Sequence, residues 1–139
     1  MQPTGAASLA AVRADRRELL AVFAGGAVGA VARALVGELL PHDPGSWPWA
    51  TFGVNVAGAF ILGWLITRLQ ERVPPSAYRR PLLGTGFCGA FTTFSTVQVE
   101  LLGMLDADRA GLALGYAGAS LLAGGIAVAL ASNLVRRAA

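Results

Sequence analysis

The chain has 139 residues, 55% of them hydrophobic and 14% charged, with 18 glycines. Soluble domains carry about 25% charged residues, so this composition points to a bilayer and leaves no room for an additional nucleotide-binding α/β domain. The formal charge is +3, from 11 basic residues, all arginine, against 8 acidic ones. Those arginines stand at the ends of apolar runs, as membrane topology requires, which argues against nucleic acid as a partner. One cysteine and one histidine, Cys88 and His42, exclude an intramolecular disulfide, a cysteine-cluster metal site and histidine-based zinc or triad chemistry.

Residues 1–18 are polar, with Arg13, Arg16 and Arg17 towards their end. The apolar run that follows is too long for a signal-peptide core, so this segment reads as a surface tail preceding a membrane domain at 19–139. A first span is expected at about 19–40. It contains Arg33 and the pairs Gly25/Gly29 and Gly26/Ala30, the four-residue spacing of small residues that lets helix backbones approach closely. Residues 41–48 are a loop by their prolines and glycine, and Trp47 and Trp49 suit the membrane interface. A second span at about 49–69 holds one strongly polar side chain, Asn55. A basic connection at 68–80 carries Arg68, Arg72, Arg79 and Arg80.

The third span, from about 81 to 105, is unusual. Gly84, Gly86 and Gly89 lead into a run of Phe, Thr and Ser, and Glu100 follows where hydrocarbon would normally continue. Such a sequence makes a poor continuous helix and predicts a broken one. After a short acidic loop, the fourth span comes from the uncharged run at 110–135, with Tyr116 and Ser120, and Arg136 and Arg137 follow it. Strand alternation is absent, so the expected fold is an all-α membrane protein with four transmembrane helices, the third broken.

Irregular backbone at membrane depth survives only inside protein or along a wet cavity. Freed carbonyls at a helix break commonly coordinate cations, and half-helix N-termini attract anions. A phenyl ring has a positive edge, so Phe91 or Phe94 set edge-on to a pore can stabilise a dehydrating anion without carrying charge. Thr92, Thr93, Ser95 and Thr96 add hydroxyl donors, and Asn55 adds two amide N–H donors, unless it is spent on an interhelical hydrogen bond. Arg33 and Glu100 are intramembrane charges and hence functional candidates. The GTGFCG stretch at 84–89 matches a dinucleotide fingerprint only literally, since it opens an apolar span rather than following a strand.

Three motifs, GGAVGAVAR at 25–33, FGVNVAG at 52–58 and GFCGAFTTFST at 86–96, together resemble the signature of the CrcB/Fluc fluoride channels. The resemblance implies an antiparallel dimer of four-helix subunits, formed with itself or with an oppositely oriented homologue, carrying two fluoride pathways. It also implies a structural sodium ion at the dimer centre, on the backbone carbonyls of Gly89 and Thr92. Asn55, Phe94, Ser95, Thr96, Tyr116 and Ser120 fall at pathway positions, and Arg33 and Glu100 near the vestibule. Val97 stands where the family has a second pore phenylalanine.

The resemblance implies passive fluoride exit through the plasma membrane of a bacterium, and no enzymatic activity. Two other classes compete. A small multidrug-type exporter needs a membrane-embedded carboxylate early in the chain, whereas the first span has Arg33 inside it and Glu38 only near its end. A non-transporting membrane subunit is the third. Nine of the 11 arginines lie in the tail, the second connection and the C-terminus, against Arg109 opposite; this asymmetry predicts that both termini are cytoplasmic.

Overall fold

The structure is a computed structural model that describes residues 16–71 and 78–138. Residues 1–15 of the tail expected at 1–18, and Arg72 of the basic connection, lie outside the described residues; residues 16–18 of that tail begin the first helix. Helix α1 runs Arg16–Leu39, starting three residues before the expected span, and α2 runs Trp49–Glu71. The third span is divided into α3 (Arg80–Cys88), α4 (Gly89–Phe91) and α5 (Ser95–Asp106), and α6 covers Ala110–Arg137. Helices α1, α2 and α6 are each long and apolar enough to cross a membrane. At 1.5 Å per residue a helix needs about 20 residues for a hydrocarbon core of ~30 Å, and these have 24, 23 and 28. The fold is thus all-α, with three continuous apolar crossings and one broken one.

One end of the bundle gathers the arginines. Arg17 Nη1 donates to Tyr78 Oη at 3.4 Å, joining the start of α1 to the residues before α3. Arg136 pairs with Glu71 at 3.1 Å, joining the ends of α6 and α2. At the opposite end the α1–α2 loop lies on the α5–α6 turn, where Arg109 Nη1 donates to Gly45 O at 3.3 Å. Gly45 has φ +76°, and a Cβ there would also lie 2.9 Å from Ala107 Cβ, so this loop requires glycine. Beneath it Val97, Met104, Ala113 and Tyr116 form a buried cluster, with Trp47 and Phe52 against it.

The helices pair as α1 with α3 and α2 with α6. The first pair depends on glycine. A Cβ on Gly25 would collide with the carbonyl oxygen of Leu82, one on Gly29 with that of Phe87, and one on Gly86 would come 2.6 Å from Val22 O. The expected small-residue face of the first span is therefore the one in use. Helix α3 is wound as a π-helix, and its end is closed by the Gly89 N–H donating to the carbonyls of Gly84 and Gly86. Such wide turns often mark functional sites. The third span is broken as expected, within the Phe–Thr–Ser run at Thr92, which is extended (φ −83°, ψ 159°); the glycines before it stay wound, and Gly86 among them serves the close approach to α1.

Replacing Gly25 by valine should separate α1 from α3 and cost about 3 kcal/mol or more, whereas a Cβ on Gly111 meets nothing within 4 Å. Thermal unfolding in detergent should therefore show a large loss for Gly25→Val and little change for Gly111→Val.

Candidate functional site

A break in a membrane helix leaves backbone groups without their helical partners, and each costs several kcal/mol if hydrocarbon surrounds it. Here neighbouring side chains take them up. Asn55 Nδ2 donates to Thr93 O at 2.9 Å, and the Thr93 N–H donates to Asn55 Oδ1 at 2.8 Å. One amide thus closes both backbone groups of the residue after the break. Arg33 Nε donates to Ala90 O at 3.0 Å. The Thr92 N–H and hydroxyl both donate to Cys88 O, at 3.1 and 2.9 Å. Thr93 Oγ1 accepts the Thr96 N–H at 3.2 Å, capping the start of α5. Gly58 leaves the room that Thr92 fills: a Cβ there would collide with Thr92 Cγ2.

Two cavities flank the break. A cleft of about 430 Å³ is lined by Asn55, Gly58, Thr93, Phe94, Val97 and Ser120, among others. The Phe94 ring is 76% exposed beside it. Ser120 Oγ is buried in its wall without a hydrogen-bond partner among the described residues. A smaller cavity of about 190 Å³ lies between α1, α2 and the break, lined by Arg33, Gly37, Thr51, Thr93 and Thr96. It combines one guanidinium with three hydroxyls, of which that of Thr51 donates to Glu100 and those of Thr93 and Thr96 bond to each other at 2.9 Å; the guanidinium is the group in it that favours a small anion.

Glu100 forms a second polar centre, towards the loop end. Its side chain is 7% exposed. Tyr116 Oη donates to Oε2 at 2.8 Å, and Thr51 Oγ1 donates to Oε1. His42 Nε2 lies 3.8 Å from Oε1. Tyr116 is fully buried and packs edge-on against Trp47, with ring centroids 5.4 Å apart.

The structure therefore sorts the residues expected from sequence into groups. Asn55, Phe94 and Ser120 share the larger cleft; Thr96 faces the smaller cavity with Arg33; Tyr116 is directed to Glu100. Ser95 is exposed, with its hydroxyl 3.3 Å from Thr93 Oγ1, and lines neither cavity. Phe91 turns away from Phe94 to stack on Phe87 at 5.3 Å. Two residues not singled out from sequence belong here. Thr51 lines the Arg33 cavity and binds Glu100, and its spacing four residues before Asn55 was the available signal. His42 meets Glu100 only through the loop fold, which no local pattern reveals.

The expected sodium ion on Gly89 and Thr92 is a correction. Among the described residues no group of three or more His, Cys, Asp or Glu could hold a metal ion. The arrangement gives a physical reason. The Arg33 guanidinium, donating to Ala90 O, places a fixed positive charge beside the break, which disfavours a cation there.

Comparison with known proteins supports the motif reading. A family model described as "CrcB-like protein, Camphor Resistance (CrcB)" matches residues 20–132. The chain is 62% identical over 123 residues to "Fluoride-specific ion channel FluC 1" of Mycolicibacterium paratuberculosis, covering 88% of this chain and 93% of that one. It is 58% identical, with the same coverage, to the protein of the same name from Mycobacterium tuberculosis. Against "Fluoride-specific ion channel FluC" of Chlorobaculum tepidum identity is 40%, over 87% of this chain and 95% of the other.

Asn55→Ala leaves the N–H and C=O of Thr93 without their side-chain partner, at about 1–3 kcal/mol for each buried group. Its unfolding midpoint in detergent should fall well below that of wild type. Ser95→Ala, at an exposed hydroxyl, should leave it nearly unchanged.

Proposed function

The chain belongs to the CrcB family, and on that premise we propose that it is a subunit of a fluoride-selective channel that lets the ion leave the cytoplasm passively. It is a multi-pass membrane protein and not an enzyme. The observation that carries the reading is Phe94: a large apolar ring left 76% exposed at a helix break, beside an amide and a buried hydroxyl. Fluoride is small and strongly hydrated. Passage requires donors and positive ring edges to replace its water without binding it too tightly to leave.

In this reading Asn55 has two roles. One amide N–H holds Thr93, and the second is free of that bond by the geometry of an NH₂ group, so it can serve the ion in the cleft. Phe94 offers its edge, and Ser120 Oγ and Thr96 Oγ1 continue the donors. Arg33 raises the anion concentration near the break. Glu100, held by Thr51 and Tyr116, excludes anions from the direction it occupies and bounds the path. Val97 makes the second aromatic position aliphatic, so the phenyl contribution rests on Phe94.

The cleft is open on the Phe94 side, and an antiparallel second subunit would close it. The arginine asymmetry favours one orientation for this chain, with both termini cytoplasmic. An oppositely biased homologue is then the fitting partner, with homodimerisation through a minority of inverted chains as the alternative.

Efflux from proteoliposomes, followed with a fluoride electrode, tests the function. Wild type should release fluoride far faster than chloride without a proton gradient. Phe94→Ala should lower fluoride flux by at least tenfold, roughly the loss of one ring-edge interaction of ~1.5 kcal/mol, with unchanged incorporation. Proton-coupled exchange of organic cations instead would identify an exporter. For orientation, C-terminal reporter fusions expressed alone should report the cytoplasm; equal signals from both sides would defeat a single orientation.

A further inference from the structure

One surface is used neither by the pathway nor by the face that Phe94 leaves open. At the arginine end, between α2 and α3, lies a cleft of about 440 Å³ lined only by Phe60, Ile61, Trp64, Leu65, Leu83 and Phe87. At 100° per residue, Phe60, Ile61 and Trp64 lie on the opposite side of α2 from Asn55, Ala59 and Leu62, which line the Phe94 cleft. The two clefts are thus separate, lying mainly on different sides of α2. One turn beyond Trp64 towards the helix end stands Arg68, whose guanidinium carbon lies 5.1 Å from the centre of the Trp64 ring. Arg80 opens α3, three residues before Leu83. The nearby acid Glu71 is engaged by Arg136 at 3.1 Å.

An apolar slot on a membrane-spanning helix, with Arg68 held over one of its rings and Arg80 at the start of its other wall, has the chemistry of one kind of ligand. We propose that this cleft is a binding site for an anionic phospholipid, one acyl chain lying against Phe60, Trp64, Leu83 and Phe87 and the phosphate engaged by Arg68 and Arg80. The slot alone would accept the chain of any lipid. The arginines select the headgroup, since a basic residue near the surface favours an anionic lipid by roughly five-fold. Arg68 is held over Trp64 by the cation–π contact, so part of the ordering cost of its long side chain is met before lipid arrives. The site stands independently of the fluoride reading.

Trp64 is the natural reporter. With Trp47→Phe and Trp49→Phe it becomes the sole tryptophan of the chain. Brominated phosphatidylglycerol and brominated phosphatidylcholine, at equal mole fraction in bilayers, should quench its fluorescence unequally. The anionic lipid should associate more strongly by roughly 25-fold if both arginines contribute independently. Arg68→Gln with Arg80→Gln should abolish that preference while leaving chain-length-dependent quenching by phosphatidylcholine, and Arg137→Gln should preserve it. Native mass spectrometry of the otherwise unaltered chain provides a second readout: retained phosphatidylglycerol should fall in the double arginine variant and also in Leu83→Trp, which fills the slot. Equal quenching by the two lipids, or a preference that survives the double variant, would overturn the proposal.

Discussion

Hydrocarbon offers no partner to a backbone N–H or C=O, so a helix that breaks inside a membrane protein must find its partners in side chains. Much of this structure follows from how Asn55 meets that constraint. Its amide closes both groups of Thr93, which fixes where α5 begins and so where Phe94 points. The remaining adjustments fit around it. Gly58 yields space to Thr92, Arg33 takes the carbonyl of Ala90, and the glycines of α1 and α3 bring Arg33 close enough to do so. The proposed pathway donor and the structural clamp are thus one side chain, and its replacement tests fold and conduction together.

Two polar centres lie in the bundle, of opposite sign. Arg33 stands by the break with hydroxyls of Thr51, Thr93 and Thr96 around its cavity. Glu100 stands nearer the loop end, bound by Thr51 and Tyr116 and close to His42. Thr51 touches both. A buried carboxylate is tolerated when its lone pairs are hydrogen-bonded, and here the partners come from α2 and α6, so Glu100 also ties α5 to its neighbours. The opposite end is different in kind. Its arginines pair across helix ends, as Arg17 does with Tyr78 and Arg136 with Glu71, and they leave the interior of the break to the side chains above.

The spans were legible because their signals are local: length, absence of charge, loop breakers and small residues four apart. Helix boundaries followed within about three residues at α1 and α2. The small-residue face of the first span is used as its spacing indicated, and the interhelical bond open to Asn55 is made. The break in the third span was legible in kind and in region: the glycines and the Phe–Thr–Ser run after them marked it, and the chain opens inside that run at Thr92. The glycines themselves stay wound, and Gly86 is used for close contact with α1. The sodium expectation failed for another reason: sequence does not show that Arg33 is brought to the break, where its charge disfavours a cation.

By itself, then, the sequence determined the class of protein, the number and order of its apolar crossings, the family motifs and the arginine bias, since each of these depends on residues near one another along the chain or on simple counts. Only the tertiary structure decided what those residues do to each other. It set Asn55 on Thr93, 38 positions away, and Arg33 on Ala90, 57 away. It sent Tyr116 to Glu100 rather than to the open cleft, and brought His42 and Thr51 to the same carboxylate. The physical reason is that hydrogen bonds in a low-dielectric interior are made by whatever donor the packing delivers, and packing depends on contacts between distant helices that no window of the sequence contains.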